Sequence, residues 1–223
     1  MSRGAFIVLE GLDRSGKSTQ CRRLVEHFKK LGSSVRFQPY PVMTFSDRTE
    51  PETGPKIDEF LKNAQSPYER AKWIHDLFSE NRRNLDAKLR NDISTGMTVI
   101  VDRYSFSGIA YSAAKNHPDL SFEEACKTEL NLLKPDLVIY LRVDVGTTST
   151  RADHGKEVLE KAEFQEKVRH QMERLINEKF WEVVDATQTI DEVFREVLEK
   201  VQNKLEFGLE PLSDFEMSDF NLN

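Results

Sequence analysis

The chain has 223 residues, of which 38% are hydrophobic and 31% charged, and its net charge is −6 at pH 7. This length suits one domain, and the composition is typical of a globular protein and excludes a disordered one. No apolar run is long enough to span a membrane, and the acidic balance argues against general affinity for nucleic acid. The short N-terminal apolar run does not resemble a signal peptide, so we expect a cytoplasmic protein, with nuclear or mitochondrial pools left open.

Apolar strand-like runs alternate along the chain with longer segments of helical periodicity. This alternation predicts an α/β fold in which a parallel sheet of about five strands is flanked by helices on both faces. We predict strands at 5–9, 34–38, 98–101, 137–141 and 181–184. We predict helices near 17–31, 68–91, 122–133, 163–179 and 190–205, with Gly32 and Gly96 at helix ends.

No internal repeat or second domain is visible in the sequence. Residues 1–205 are therefore predicted to form a single domain, and the acidic segment 206–223 a flexible tail. The proline- and threonine-rich stretch 39–55 fits no regular element.

The stretch Glu10–Thr19, EGLDRSGKST, follows the first predicted strand and opens the first predicted helix. From Gly11 onward it fits the pattern G-x-x-x-x-G-K-S of a phosphate-binding loop, in which backbone N–H groups and the helix dipole hold phosphate. In this interpretation Gly11 and Gly16 allow the backbone to approach the ligand, Lys17 binds the outer phosphates and Ser18 binds Mg²⁺. The alternative, a glycine turn without a ligand, does not explain why the motif stands between a strand and a helix.

Asp13 and Arg14 are unusual inside such a loop. A guanidinium at this place would lie near the γ-phosphate, so Arg14 is a candidate arginine finger supplied by the same chain. The alternative is an arginine that faces solvent.

Asp102 and Arg103 follow the predicted strand 98–101, at the edge of the sheet where ligands of open α/β folds bind. Asp102 is a candidate for ordering Mg²⁺ and Arg103 for holding two phosphates together. A structural ion pair between the two residues is the alternative.

Four separated motifs, EGLDRSGKST, VDRYSFSGIAY, LFSENR and KPDLVIYL, together resemble the thymidylate kinases of eukaryotes, from about Gly4 to Val201. The resemblance implies a P-loop nucleotide kinase that transfers phosphate from ATP to dTMP with Mg²⁺, in the synthesis of dTTP. It also implies a homodimer, nucleotides as the small-molecule partners, and a lid near 151–163.

The same resemblance assigns residues to two nucleotide sites. Phe78 would stack on thymine, although its periodicity also suits an ordinary core residue, and Arg82 would bind a base carbonyl. Asp13 would lie near the 3′-hydroxyl, and Arg48 and Arg103 on the acceptor phosphate. The remaining acceptor residues would be Ser107, Gly108, Tyr111 and Gln165, and the ATP site would comprise Gly11, Asp13, Ser15, Gly16, Lys17, Ser18, Thr19 and, against adenine, Arg151.

The chain departs from the family pattern in two places. The segment from Tyr40 to Arg48 is longer than the family's, and the lid has Val158-Leu159-Glu160 where an R-Y-E element is usual. We expect the second change to affect two properties: discrimination against a 2′-hydroxyl and the tightness of lid closure.

A monophosphate acceptor is largely dianionic near neutral pH, so its phosphorylation needs no general base. The catalytic set would then be Arg14, Lys17, Asp102 and Arg103, which align two anions and neutralise their charge. A deoxynucleoside kinase, with Glu50 as a base, is the first alternative. A nucleotide-binding regulatory module with little catalysis is the second.

Overall fold

The computed structural model describes residues 3–41, 51–149 and 158–221. Arg48, Glu50, Arg151 and most of the predicted lid lie outside these residues.

Five parallel strands form one sheet in the order β2-β3-β1-β4-β5. The central strand β1 is completely buried, as its continuous apolar sequence predicts. The predicted α/β fold and its five strands are confirmed, with ends that differ by one or two residues. The strands are β1 Phe6–Gly11, β2 Val35–Pro39, β3 Thr98–Asp102, β4 Leu137–Arg142 and β5 Trp181–Asp185.

Helices cover both faces of the sheet, and each face has its own hydrophobic cluster. One cluster packs the first and last long helices against Ile7, Leu9 and Ile100, and the other packs the remaining helices against Phe6 and Val8. Because successive side chains of β1 point to opposite faces of the sheet, this strand contributes to both hydrophobic clusters. The helices are α1 Lys17–Lys30, α2 Gly54–Asn63, α3 Ala71–Ser94, α4 Ser105–Ala113, α5 Phe122–Lys127, α6 Val145–Ser149, α7 Ala162–Arg174 and α8 Ile190–Phe207.

Several helices differ from the sequence predictions. Helices α2, α4 and α6 were not predicted, and α5 ends at Lys127 instead of continuing to Leu133. Beyond α5 the chain turns, with Asn131 in the left-handed region at φ 65°. The predicted ends near Gly32 and Gly96 are confirmed, since α1 ends at Lys30 and α3 at Ser94.

The segment after α8, for which the sequence predicts a flexible tail, packs against the domain in residues 212–221. Phe215 and Phe220 are each 2% exposed and contact the aromatic ring of Phe106 on α4. The backbone of Phe215 donates a hydrogen bond to the Leu132 carbonyl, 2.9 Å away. The acidic composition favours a segment exposed to solvent, but the side chains of Phe215 and Phe220 are buried and attach the segment to the domain.

Among the helices that the structure describes, none combines the length and the apolar character needed to cross a membrane.

Candidate active site

The phosphate-binding loop connects β1 to α1, as predicted. Gly11 has φ 150°, and a Cβ atom there would lie 2.8 Å from the Leu141 carbonyl oxygen on β4. Gly16, at the N-cap of α1, has φ 100°. A residue with a side chain would be strained at either position. Glycine at both therefore lets the loop lie close to the sheet, with its N–H groups at the start of α1.

Lys17 is buried and folds back across this loop. Its Nζ donates to the Leu12 carbonyl at 2.5 Å and lies 3.3 Å from the Ser15 hydroxyl. Burial, together with the nearby Arg103 guanidinium, lowers the pKa of Lys17 to about 8. An anion at the loop would stabilise the charged amine, so the geometry suits a phosphate ligand. The loop's other predicted residue, Thr19, is exposed on the first turn of α1.

Ser18 and Asp102 lie together at the ends of α1 and β3. The Ser18 hydroxyl donates to Asp102 Oδ2, so two oxygen ligands face one point beside the loop. Mg²⁺ commonly binds one or two protein oxygens together with substrate phosphates, and this pair suits that role. In the described part of the chain, no group of three or more His, Cys, Asp or Glu residues forms a separate metal site.

Asp13 and Arg103 form the centre of the site. The Arg103 guanidinium forms an ion pair with Asp13 and also donates to the Gly11 carbonyl and the Ser107 hydroxyl, both at 3.1 Å. Burial opposes ionisation of Asp13, but Arg103 outweighs it and holds the pKa of that carboxyl below its ordinary value. Asp102 faces Ser18 instead, so the alternative of a structural Asp102–Arg103 pair is not what the structure shows.

Arg14 connects the phosphate loop to the described end of the predicted lid. Its Nη2 lies 2.8 Å from Glu160 Oε1, and both side chains are mostly buried. Arg14 therefore does not simply face solvent.

A cavity of about 270 Å³ opens beside this centre, between α3 and α4. Phe78 lies in its wall while packing on the hydrophobic core, so it is both a core residue and a cavity residue. Seven predicted acceptor residues line the cavity: Asp13, Phe78, Arg82, Arg103, Ser107, Gly108 and Tyr111.

Arg82 is fixed in the cavity wall by a buried, two-pronged ion pair with Glu129. Its Nε donates to Glu129 Oε2 at 2.8 Å, and its Nη2 donates to Oε1 at 2.5 Å. Nη1 has no partner among the described residues. A planar guanidinium held in this way can present that third nitrogen to a ligand.

Gln165, at the start of α7, does not line the cavity but binds Asp13 from the side of the predicted lid. Its amide nitrogen donates to Asp13 Oδ2 at 2.8 Å, and its amide oxygen accepts from the Asp13 N–H at 3.2 Å. The Tyr111 hydroxyl donates to the same carboxylate oxygen at 2.7 Å. Asp13 is thus held by the side chains of Gln165 on α7, Tyr111 on α4 and Arg103 between β3 and α4.

Two buried carboxylates of the site were missed in the sequence analysis. Glu10, on β1, accepts from the backbone N–H groups of Tyr104 and Ser107 and so caps the N-terminus of α4. Burial raises the pKa of Glu10. Glu129 anchors Arg82, as described above. A carboxylate inside an apolar strand was the available signal for Glu10, whereas nothing local marks Glu129.

A larger cavity of about 430 Å³ lies along β5 and α8. None of the predicted site residues that the structure describes lines it. The cavity that the predicted acceptor residues line is therefore the smaller one, beside the phosphate loop.

Comparisons with known proteins agree with this site. The family model described as thymidylate kinase matches residues 9–197. Curated relatives include a thymidylate kinase of Schizosaccharomyces pombe, 41% identical over 91% of this chain and 93% of its own, and that of Homo sapiens, 34% identical over 87% and 88%. A solved thymidylate kinase from Candida albicans superposes with a TM-score of 0.82 at 30% identity, covering 97% of this chain and 100% of its own. The chain belongs to the thymidylate kinase family.

Proposed function

We propose that this protein transfers the γ-phosphoryl group of ATP to dTMP, giving dTDP and ADP. The observation that carries the proposal is the shared Asp13–Arg103 centre: Asp13 belongs to the phosphate loop, and Arg103 begins the wall of the acceptor cavity. Two phosphates bound on either side of this centre would lie close enough to react in line.

Neutralisation of charge is the main catalytic requirement. The dTMP phosphate, with a second pKa of about 6, already carries the reacting oxygen as an anion at neutral pH. Lys17 and Arg14 would stabilise charge on the transferring group, and Arg103 would hold donor and acceptor phosphates together. Mg²⁺, bound by Ser18 and ordered by Asp102, would neutralise the phosphate oxygens of ATP.

The acceptor site would read both base and sugar. Phe78 supplies an aromatic face for thymine, Arg82 an anchored donor for a carbonyl, and Asp13 a carboxylate for the 3′-hydroxyl. Leu159 also lines the cavity, and its carbonyl accepts a hydrogen bond from Gln165 at 2.7 Å. Where the family usually has a tyrosine, this chain has a leucine, so the sugar would have one polar contact fewer from the lid. Arg48, on the acceptor phosphate, and Arg151, against adenine, lie outside the described residues and stay proposals from the family resemblance.

The experiment is steady-state transfer from ATP with Mg²⁺ to dTMP, dUMP, the ribose form of TMP and thymidine at matched concentrations. We expect dTMP to have the highest kcat/KM. Activity on thymidine alone would instead support a deoxynucleoside kinase. ATP binding with no transfer to any of the four would support a regulatory nucleotide-binding module.

We also propose that the enzyme is a homodimer that acts in the cytoplasm. Support for the dimer comes from the family resemblance, and analytical ultracentrifugation at micromolar concentration tests it. Cys21 and Cys126 are buried free thiols, which is compatible with a compartment that keeps thiols reduced. Fractionation of cells that express a tagged chain tests the location.

A further inference from the structure

Lys115, just beyond the end of α4, is a buried lysine whose amine has no counter-ion among the described residues. Its side chain is 7% exposed, and it lines the acceptor cavity. No described residue accepts a hydrogen bond from its Nζ or forms an ion pair with it. An amine buried in this way is costly unless something else supplies acceptor oxygens, so its position at a ligand cavity requires an explanation.

The packing of α3 against α4 shows which end of the cavity Lys115 occupies. The two helices run antiparallel: Arg82 touches Gly108, whereas His75, two turns earlier on α3, bonds Ser112 at 2.7 Å. Lys115 follows Ser112 by nearly one turn. Its backbone is therefore about 12 Å from that of Ser107 along the direction of α4, and the Ser107 hydroxyl accepts from Arg103. Since Lys115 still lines the cavity, this spacing points to the end away from Arg103.

This placement has a chemical consequence, given the proposed acceptor. With the phosphate at Arg103, the base lies toward Phe78 and the far end of the cavity. The group of a pyrimidine most distant from the sugar is the substituent at carbon 4, a carbonyl in thymine and uracil and an amino group in cytosine. Once protonated, an amine can only donate, so a ligand that draws a proton onto it must offer an acceptor: the carbonyl does and the amino group does not.

We propose that Lys115 donates a hydrogen bond to the carbonyl oxygen at carbon 4 of the acceptor base, and so selects thymine and uracil over cytosine. The inference rests on the proposed function and adds a specificity-determining residue to it. Arg82 would supply a second donor to the same edge of the base through Nη1, the nitrogen that no described residue binds.

The electrostatics of the cavity agree with such a role. Burial lowers the pKa of Lys115 to about 7, and among the described residues no neighbouring charge contributes. The facing charges are already paired, Asp13 with Arg103 and Arg82 with Glu129. Three further titratable groups near the cavity favour their neutral forms, because burial lowers the pKa of His75 to about 4 and raises those of Tyr104 and Tyr111. Binding of a carbonyl should therefore draw a proton onto Lys115 near neutral pH.

The test compares Lys115→Met with wild type and with Lys127→Met, a control at an exposed lysine on α5. We expect Lys115→Met to raise the KM for dTMP about tenfold to a hundredfold, the value of one hydrogen bond to a charged group, with a smaller effect on kcat. We also expect its preference for dTMP over dCMP to fall by at least about tenfold. Lys115→Gln, which keeps a hydrogen-bond donor, should raise the KM for dTMP less than Lys115→Met does.

A second measurement does not depend on turnover. Calorimetric titration of dTMP at pH 7.5, in two buffers of different ionisation enthalpy, should show uptake of about half a proton or more in wild type and Lys127→Met. Lys115→Met and Lys115→Gln should both lose this uptake. If wild type neither binds nor phosphorylates dTMP, the proposed function and this inference both fall. If wild type does both, while Lys115→Met keeps its KM, its base preference and its proton uptake, the inference alone is overturned.

Discussion

At the scale of single residues, Arg103 connects the phosphate-binding loop to the cavity beside it. It pairs with Asp13 of the phosphate loop and donates to Ser107 in the acceptor cavity. We expect Arg103→Ala to reduce kcat by about 10³-fold or more, the usual value of an arginine that stabilises a transferring phosphoryl group. ATP should still bind, since Lys17 and the loop backbone remain.

An assay of ADP release with dTMP, combined with direct ATP titration, checks this prediction. The matched control is Arg169→Ala, which removes an arginine paired with Glu166 and Glu173 on the surface of α7. Turnover of Arg103→Ala at the level of that control would remove Arg103 from the catalytic set.

Gly108 is required by the close approach of α3 to α4. A Cβ at this position would lie 2.4 Å from Arg82 Nη2 and 2.9 Å from Cζ, and the guanidinium is held in place by Glu129. We expect Gly108→Ala to destabilise the protein by about 1–3 kcal/mol, as overpacking does. We also expect it to raise the KM for dTMP about tenfold, because Arg82 is displaced.

Urea unfolding and steady-state kinetics measure these two effects. Gly146→Ala is the control, because Gly146 is an exposed helical glycine whose added Cβ would meet only the carboxylate of Asp144. Equal behaviour of the two variants would show that the Gly108–Arg82 contact does not constrain the site.

At the scale of elements, the sequence predicts the strands and the long helices well, because each buries a local apolar pattern. Helix α4 escaped prediction because SFSGIAYSA consists largely of small and polar residues, and its N-terminus is capped by Glu10 from a distant strand. The motif residues were found because a phosphate loop is local in sequence. Glu129 and Lys115 were not, since what marks them is burial at a particular cavity, and that depends on tertiary packing.

His75 joins three helical segments. Its ring nitrogens lie 2.7 Å from the Ser112 hydroxyl, at the end of α4, and 2.8 Å from the Thr128 hydroxyl, after α5. Burial lowers its pKa from 6.5 to about 4, so the folded state favours the neutral ring. The stability gained in this way is complete above pH 6.5 and is lost as pH falls toward 4. Between pH 7 and pH 5 the loss should be about 2 kcal/mol.

Urea unfolding of wild type and His75→Gln at these two pH values isolates that contribution. Glutamine keeps one donor and one acceptor but does not titrate, so its loss of stability should be smaller by about 2 kcal/mol. His170→Gln, at an exposed position on α7, should behave as wild type. An unchanged pH dependence in His75→Gln would contradict the role assigned to the buried ring.

At the scale of the whole molecule, the C-terminal segment reaches back to support the acceptor site. Its backbone bridges Leu133 through Asp214, and Asp219 forms an ion pair with Lys134, so the segment is attached at two points. Between them Phe215 packs on Tyr104 and Phe106, the residues that precede Ser107 on and beside α4. The segment thus packs against Phe106, on α4, and against Tyr104, which lines the cavity beside the phosphate loop.

Two phenylalanines of opposite exposure test this attachment. Phe215 is 2% exposed, whereas Phe207, at the end of α8, is 90% exposed. We expect Phe215→Ala to lower the free energy of unfolding by about 3–5 kcal/mol and Phe207→Ala by less than about 0.5 kcal/mol. Because α4 loses a contact, Phe215→Ala should also raise the KM for dTMP under conditions where the protein stays folded. If the segment were loosely held, as its acidic composition suggests, both substitutions would leave the free energy of unfolding in urea nearly unchanged. A large loss of stability at Phe215 with an unchanged KM would mean that the segment stabilises the domain without positioning α4.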